Sequence, residues 1–394
     1  MTIPGLPYAL VLSALLCSSL PLGSGTEAFA ADLAARVAEL RGRMTADAAG
    51  AVVDVNFMDA EATAADVALA VAQPQLKSLT LWGAQIDDAV VALLPQAKNL
   101  QSLVLENTSV TDAGLAPLAE LPQLRQLNLH RSAQLTSAGA DQIAKLADLT
   151  HLMAPYTKFN DDAVAKLTSL KKLRLLDLRG CTLSDGAMSV VDDLPLLVSL
   201  KLRSPSISDK GLATIATRRG LRGLHLEDAR LTNDGMQQLA ELTELDDLNL
   251  LRVPIDNDGL APLAKLSKMR QLNLRGTFVS DDGLENLAGM SQLFKLDLSE
   301  TEVEGPGLAH LAKLPQLRWL NLWATYADDD ALDHVAQMEA LEHLNLDNTM
   351  VGDAGVAKLA GLKKLKTLGL SQTSVSAGAI DKLKAAIPGL KVQR

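Results

Sequence analysis

The chain has 394 residues, of which 78 are leucine and only 11 are aromatic, so its core must consist largely of aliphatic side chains. An apolar content of 48% is too high for a disordered chain. The formal charge of −10 argues against nucleic-acid binding, because proteins that recognise phosphates usually carry a basic balance.

The first feature of the chain is an apolar stretch from Leu6 to Gly23. Ala28-Phe29-Ala30 follows it, and the two alanines are typical of a signal-peptidase site. We therefore predict a cleaved signal peptide over residues 1–30 and an extracytoplasmic protein, either periplasmic or secreted. An uncleaved anchor is the alternative, because about 18 apolar residues can span a bilayer. Lipid modification of Cys17 is disfavoured, since the preceding residue is leucine where lipoprotein signals have a small one.

The next segment has the pattern of an amphipathic helix. Within residues 31–44, the side chains of Leu33, Val37 and Leu40 fall on one helical face. A helix with one apolar face must pack against its neighbour, so we predict an N-terminal capping helix in residues 31–51 and a single domain over residues 52–394.

From residue 52 onward the sequence repeats every 24 residues in the pattern L-x-x-L-x-L-x-x-T-x-V-[ST]-D-x-G-L-x-x-L-A-x-L-x-x. The alternation in L-x-x-L-x-L predicts a half-buried strand, and the later leucines predict a short helix with one apolar face. A degenerate copy over residues 52–75 comes first, and Leu390 with Val392 predicts one more partial strand at the end. The thirteen full copies begin at Leu76, Leu100, Leu124, Leu149, Leu173, Leu197, Leu221, Leu245, Met269, Leu293, Leu317, Leu341 and Leu365.

This pattern resembles the leucine-rich-repeat superfamily, and within it the ribonuclease-inhibitor-like and F-box-associated subtypes. The V-T-D-x-G-L segment is similar to that of bacterial secreted repeat proteins. The resemblance implies an α/β solenoid shaped like a horseshoe, with about 14 repeats, a parallel sheet on the concave face and helices on the convex face. It also implies binding of a protein partner through the concave sheet, and we expect a monomer.

Two positions of the repeat are predicted to stabilise the fold. Thr111 is expected to cap a helix, and Asp112 to lie near the positive end of the helix dipole. The same aspartate recurs as Asp185, Asp209, Asp234, Asp282 and Asp353. We interpret these carboxylates as structural and not as catalytic groups or calcium ligands.

The ninth position of the repeat is usually threonine, whose hydroxyl can satisfy backbone groups in the turn. Pro205, Ala229 and Val253 occupy that position in the central copies and have no hydroxyl. We therefore expect a weaker ladder of turn hydrogen bonds there. Cys181 occupies the same position, which predicts that its thiol is buried.

Function is expected among the outward-facing strand positions, because the leucines form the scaffold. In the full copies these positions hold 14 Lys or Arg and 10 Asp or Glu. One interpretation is a basic trough for an acidic protein partner. The other is a solvated sheet whose charges pair with each other, as Arg179 with Asp177 or Arg252 with Glu227 or Asp228. The arginine candidates are Arg131, Arg179, Arg203, Arg252 and Arg275.

All three tryptophans also fall in outward strand positions, although a leucine core does not need them there. Tryptophan is enriched in binding hot spots, so we predict a contact surface that includes them. Its candidate residues are Trp82, His225, Trp319, Asn321, Trp323 and His343, with Phe294 as a neighbour.

The sequence offers little support for catalysis. It has no G-x-S-x-G, H-E-x-x-H or Walker motif, and two cysteines cannot form a network of disulfides. Four of the six histidines lie on the strand face, but the first and the last of them, His130 and His343, are nine copies apart, so no metal site is predicted. We predict a non-enzymatic binding protein without a cofactor. An effector or adaptor in a host cell, and a binder of cell-surface glycans, are the alternatives.

Overall fold

The computed structural model describes the backbone of residues 24–394 and the side chains from residue 30 onward. In this part of the chain, sixteen strands form one sheet in sequence order. All neighbouring strands are parallel except the first two, which are antiparallel. The strands are β1 (Arg43–Ala46), β2 (Val52–Asn56), β3 (Ser78–Trp82), β4 (Ser102–Glu106), β5 (Gln126–Asn128), β6 (His151–Met153), β7 (Leu175–Asp177), β8 (Ser199–Arg203), β9 (Gly223–Glu227), β10 (Asp247–Asn249), β11 (Gln271–Asn273), β12 (Lys295–Asp297), β13 (Trp319–Asn321), β14 (His343–Asn345), β15 (Thr367–Gly369) and β16 (Lys391–Gln393).

Short helices connect successive parallel strands and form the convex layer. The α-helices are α1 (Ser24–Glu39), α2 (Ala64–Val71), α3 (Asp88–Val91), α4 (Gly139–Ile143), α5 (Asp161–Lys166), α6 (Val190–Asp193), α7 (Asp209–Ile215), α8 (Asn233–Met236), α9 (Asn257–Leu260), α10 (Ala331–Val335), α11 (Asp353–Lys358) and α12 (Ala377–Ala386). The 3-10 helices are Leu94–Gln96, Ala113–Glu120, Leu167–Ser169, Asp185–Ser189, Gln237–Glu241, Ala261–Lys265, Asp281–Leu287, Pro306–His310 and Leu359–Gly361. This layered solenoid is the predicted fold.

The core runs between the two layers from the first copy to the last. In the centre, Leu224, Leu248 and Leu272 stand side by side on adjacent strands and are at most 2% exposed. Helical residues such as Leu212 and Leu260 close the other side. Each copy therefore buries its apolar face against its two neighbours, as the repeat requires. Strand β16 confirms the partial strand predicted at the end of the array.

The N-terminal cap differs from the single helix predicted for residues 31–51. Helix α1 ends at Glu39, and β1 then adds an antiparallel strand to the edge of the sheet. Arg41 adopts a left-handed conformation at φ 57°, which ends the helix. At Gly42 a side chain would approach the carbonyl oxygen of Asn56 to 2.8 Å, so glycine allows β1 to approach β2.

Helix α1 also crosses the predicted cleavage site after Ala30. Leu33 and Val37, which anchor the helix to the core, lie beyond that site and would remain after cleavage. Residues 1–23 of the predicted signal peptide lie outside the described residues, and the signal stays a prediction.

A partly buried ion pair between Arg36 and Asp66 connects α1 to the first repeat. Asp66 is 2% exposed, and its carboxylate accepts hydrogen bonds from Arg36 Nε at 2.8 Å and from both the backbone N–H and the hydroxyl of Thr63 at 2.8 Å. Burial favours the protonated acid, but the hydrogen bonds from Arg36 and Thr63 outweigh this effect and hold the pKa of Asp66 below its ordinary value of 3.8.

A lower pH should therefore weaken the contact between α1 and the first repeat. A carboxyl whose pKa is lower in the folded state stabilises the fold above its unfolded pKa, and this contribution disappears as the pH falls through the folded value. We expect the protection factors of the α1 amides to fall below about pH 4, and Asp66→Asn to lower them already at pH 7. Asp32→Asn on the same helix is the control; equal exchange in the two variants at pH 7 would refute the locking role.

In several copies the recurring aspartate links its copy to the next one. Asp209 accepts hydrogen bonds from the backbone N–H and the hydroxyl of Thr232, at 2.9 and 2.6 Å. The prediction of a structural aspartate is confirmed, but the carboxylate satisfies the following copy and does more than meet its own helix dipole. The equivalent pairs are Asp88 with Thr111, Asp112 with Thr136, Asp161 with Ser184, Asp185 with Ser208 and Asp353 with Ser376.

The predicted roles of the turn residues were wrong at Asp234, Asp282 and Thr111. In the copies that contain Asp234 and Asp282, the preceding residues Asn233 and Asp281 make the link. Thr111 does not cap its helix, because Asp112 occupies the cap position of the 3-10 helix Ala113–Glu120. The side chain that reaches the next copy is therefore selected by its position in the turn and not by its charge.

The predicted ladder of threonine hydroxyls is present on both sides of the centre. Before the centre, Thr157 donates to the carbonyl oxygen of Ala154 at 2.9 Å. After it, Thr277 and Thr325 each donate to the carbonyl oxygen three residues earlier, at 2.7 Å. The ladder is interrupted at Ala229 and Val253, as predicted. Next to Pro205, the hydroxyl of Ser204 donates to Leu183 O at 2.6 Å and partly replaces the missing bond.

Candidate functional site

Strand alternation places two tryptophans on the concave face of one copy. In β13, Leu320 is buried, whereas Trp319 and Asn321 are partly exposed, and Trp323 follows on the same side. The amide of Asn321 accepts a hydrogen bond from the Trp323 backbone N–H at 3.1 Å and donates one to Asp297 at 3.0 Å. Asn321 therefore fixes the chain that carries Trp323.

Each tryptophan ring carries a cation on one face. Lys295 Nζ lies 4.7 Å from the ring centre of Trp319, and Arg275 Cζ lies 4.7 Å from that of Trp323. Such cation–π contacts contribute on the order of 1 kcal/mol at partly exposed sites and restrict the rings. We call these four residues together with Asn321 the aromatic patch. His343 lies beside Trp319 on β14, where its Nδ1 is 2.7 Å from the Thr367 hydroxyl.

Four of the five predicted arginine candidates, Arg179, Arg203, Arg252 and Arg275, form ion pairs at the ends of the central strands. Asp228 binds two of them: its carboxylate accepts from Arg203 Nε and from Arg252 Nε, both at 2.6 Å. Hydrogen bonds from Arg252 and Arg203 outweigh burial and lower the pKa of Asp228. Arg179 binds Asp177 at 2.8 Å and lies 3.5 Å from Glu227.

Charge pairing, the second of the two interpretations, is therefore confirmed for these residues. Arg179 pairs with Asp177 as predicted, and Arg252 pairs with Asp228 and not with Glu227. Arg275 binds Glu300 at 2.7 Å while covering Trp323. A carboxylate of a binding partner would compete for these arginines with the carboxylates of the chain itself.

Three of the remaining candidates lie away from the aromatic patch. Trp82 ends β3, ten strands before β13. Arg131 lies over the ring of Tyr156, with its Cζ 5.9 Å from the ring centre. His225 on β9 is 9% exposed, with Nε2 at 3.0 Å from Asp247. The structure brings together Arg275, Trp319, Asn321, Trp323 and His343, but not the full candidate set.

A polar cavity of about 350 Å³ opens in the middle of the concave sheet, between strands β8 and β12. Its side-chain lining includes Lys201, His225, Asp247, Gln271, Asn273, Lys295 and Asp297. We call it the central cavity. Lys295 belongs to both the cavity and the aromatic patch, so the two features are continuous.

The sequence reasoning missed Lys201, Lys295 and Tyr156. The 24-residue register contains the signal for Lys295, because this residue holds the same repeat position as Trp319 in the preceding copy. Tyr156 holds the eighth repeat position, and its hydroxyl accepts a hydrogen bond from Arg203 at 3.1 Å. No periodic signal identifies that contact.

Cys181 is buried as predicted, at 5% exposed, and burial raises the pKa of its thiol. Among the residues that the structure describes, no group of three His, Cys, Asp or Glu side chains is arranged to hold a metal ion. No helix in residues 24–394 has both the length and the apolar character needed to cross a membrane.

Known structures share this fold. A crystal structure of an internalin from Listeria monocytogenes matches with a TM-score of 0.57 and 23% identity, over 76% of this chain and 81% of its own. A leucine-rich-repeat protein of Leptospira interrogans matches with a TM-score of 0.50 and 18% identity, over 84% and 92% of the two chains. No protein-family model and no curated protein matches by sequence. The chain therefore has a leucine-rich-repeat fold, and its repeat subtype stays a prediction.

Proposed function

We propose that the protein is a non-enzymatic binding protein that recognises a protein partner through its concave face, with the aromatic patch at the centre of the contact. The observation that carries this proposal is the pair Trp319 and Trp323, which are partly exposed on β13 and in the turn directly after it and which contact Lys295 and Arg275. Tryptophan and arginine dominate binding hot spots, and side chains that are already ordered lose little entropy on docking.

A glycan partner is less well supported. Sugars stack on open aromatic faces, but Lys295 and Arg275 occupy one face of each ring. The patch combines ring surface, positive charge and the amide of Asn321, which suits the mixed surface of a protein. We further propose that the partner is acidic at this contact.

We also propose that the protein is exported and acts as a monomer. Export rests on the apolar stretch and the Ala28-Phe29-Ala30 site. Mass spectrometry of protein from its native source should find an N-terminus at Ala31. A retained Met1 would favour the alternative of an adaptor or effector inside a host cell.

Truncation of both rings should weaken partner binding. A pull-down from the native extract with the purified protein identifies the partner, and calorimetry then gives its affinity. We expect Trp319→Ala with Trp323→Ala to reduce affinity at least tenfold, because hot-spot side chains contribute about 2 kcal/mol or more.

Tyr326→Ala is the matched control, since this aromatic ring is 57% exposed but lies outside the strands. Its affinity should equal that of the unmodified protein, and all variants should keep the same melting temperature within a few degrees. Unchanged affinity in the double tryptophan variant would remove the aromatic patch from the proposed site.

A further inference from the structure

A row of cations follows the edge of the sheet at which the parallel strands begin. The second repeat position directly precedes strands β3 to β15, and it holds a cation in every other full copy. Backbone hydrogen bonds keep the row in register, as between the Phe294 N–H and Arg270 O at 3.0 Å. Successive cations are therefore two strands, or roughly 10 Å, apart. We call them the cation row: Lys77, Arg125, Arg174, Arg222, Arg270, Arg318 and Lys366.

One carboxylate of the fold already lies between two members of the cation row and contacts both. Glu342 stands at the second repeat position between Arg318 and Lys366. Lys366 Nζ donates a hydrogen bond to one oxygen of its carboxylate, and Arg318 Nη1 lies 3.6 Å from the other oxygen. The hydrogen bond from Lys366 is the main cause of a lowered pKa at Glu342. At this spacing a single carboxylate can therefore interact with two cations.

Between Arg270 and Arg318 the second repeat position holds Phe294 and not a carboxylate. Arg270 lies over the ring, with its Cζ 5.5 Å from the ring centre. In the described part of the chain, the Arg270 side chain has no hydrogen-bond partner and no carboxylate within 4 Å. Arg318 contacts Glu342 only beyond hydrogen-bond distance. Both guanidinium groups therefore keep N–H donors that the fold does not use.

A cavity of about 640 Å³ opens at this point of the edge, and we call it the edge cavity. None of the described residues that line it is acidic, in contrast to the central cavity. Its polar side chains, like Arg270, form no hydrogen bond with another described residue. The edge cavity is lined by Arg270, Ser291, Gln292, Phe294, Gln316 and Arg318.

From this arrangement we infer that the edge cavity receives an aspartate or glutamate side chain of the protein partner, with Arg270 and Arg318 as its cationic ligands. The carboxylate of the partner takes the place between these arginines that Glu342 takes between Arg318 and Lys366. Arginine presents its donors in a planar fork that matches a carboxylate. The inference rests on the proposed concave-face binding and names the residues that recognise the acidic group.

The edge cavity adjoins the aromatic patch. Arg318 directly precedes Trp319, and the Trp319 backbone N–H donates to the carbonyl oxygen of Phe294 at 3.0 Å. A partner segment that enters the edge cavity therefore continues past the indole ring of Trp319. We expect the recognised segment to carry an apolar side chain close to its acidic residue.

The test uses peptides selected on the purified protein from a random phage-displayed library. Selected sequences are synthesised with acetylated and amidated ends, and their affinities are measured by fluorescence polarisation. We expect the binders to carry Asp or Glu, and replacement of that residue by Asn or Gln to lower affinity about tenfold. Against Arg270→Met with Arg318→Met the same peptide change should alter affinity less than about twofold, because the two cations are already absent.

The cation row supplies a matched control. Arg125→Met with Arg174→Met removes two cations that hold the same repeat position, also two strands apart, six copies earlier. This variant should leave the tenfold effect intact. The inference is overturned if no peptide is selected, if the binders lack acidic residues, or if the peptide change costs the same with and without Arg270 and Arg318. Tighter binding of a peptide with phosphoserine in place of its acidic residue would also overturn the carboxylate assignment.

A second pair of variants supplies the missing carboxylate from the chain itself. In Phe294→Glu the new side chain should lie between Arg270 and Arg318, as Glu342 lies between its two cations, and should compete with the peptide. We expect its affinity for the acidic peptides to be at least about tenfold lower than that of Phe294→Gln, which has the same shape without the charge. Equal affinities of these two variants would contradict the inference.

Failure of the inference and failure of the proposed function give different results. If Trp319→Ala with Trp323→Ala abolishes peptide binding while Arg270→Met with Arg318→Met binds normally, the concave face is retained and the edge-cavity assignment is lost. If neither variant changes the affinity of the selected peptides, the proposed binding face itself is contradicted.

Discussion

Replacement of Gly235 by alanine is expected to lower the free energy of unfolding by about 3 kcal/mol, because the new methyl group has no space. A Cβ at Gly235 would overlap the carboxylate of Asp209 in the preceding copy. That carboxylate is held by two hydrogen bonds to Thr232, so it cannot move away without breaking them. Urea-induced unfolding followed by circular dichroism measures the loss.

The matched control is Gly289→Ala, where no atom lies within 4 Å of the new methyl group. This substitution should change stability by less than about 0.5 kcal/mol. Asp209→Ala in the Gly235→Ala background should relieve the overlap, so the two substitutions together should cost less than their sum. Equal losses of unfolding free energy for Gly235→Ala and Gly289→Ala would contradict the close contact between Gly235 and Asp209. Strictly additive losses for Gly235→Ala and Asp209→Ala would contradict it as well.

The fold could be predicted from the sequence because one short pattern determines every copy. Period-two alternation fixes the strand, and the leucines of each copy meet the same leucines of the next, as Leu248 meets Leu224 and Leu272. The residue that links one copy to the next was misassigned in two copies. Asn233, and not the adjacent Asp234, holds the repeat position of Asp209 24 residues earlier, so the register identifies the linking residue where residue type does not.

The outward positions of the candidate site could also be predicted, but its electrostatics could not. Alternation identified Trp319, Asn321 and Trp323 as residues of the concave face. Whether an outward cation is paired depends on how far its side chain reaches across neighbouring strands. Arg203 reaches Asp228 on the next copy, whereas Lys201, two residues earlier, finds no carboxylate in the described part of the chain.

This difference changes how the concave face would recognise an acidic partner. An incoming carboxylate must displace Asp228 to bind Arg203 or Arg252, and the exchange of one carboxylate for another gains little free energy. A partner whose carboxylates face the cations of the concave sheet should associate less tightly as ionic strength rises, because a cation and a carboxylate attract each other less in salt.

Phe159→Ala is expected to cost about 4 kcal/mol of unfolding free energy, the usual effect of removing a fully buried aromatic ring. Phe159 is 0% exposed and is one of the largest buried side chains of the array. Its carbonyl oxygen accepts a hydrogen bond from the Thr182 backbone N–H at 3.0 Å, so the residue also joins two copies. Thermal and urea unfolding monitored by circular dichroism measure the change.

Phe159→Ala should also split the single unfolding transition into two, because each copy of a solenoid is stabilised mainly by its neighbours. Removal of the Phe159 ring weakens the packing between the copies before it and those after it. Tryptophan fluorescence separates the two sides in variants that keep either Trp82 alone or Trp319 with Trp323, because the emission of the three rings otherwise adds. The matched control is Phe278→Ala, which removes a ring that is 57% exposed and should cost less than about 1 kcal/mol. Similar losses of unfolding free energy for Phe159→Ala and Phe278→Ala would show that burial of the Phe159 ring does not stabilise the array. Coincident fluorescence and circular dichroism transitions in Phe159→Ala would show that the two sides still unfold together.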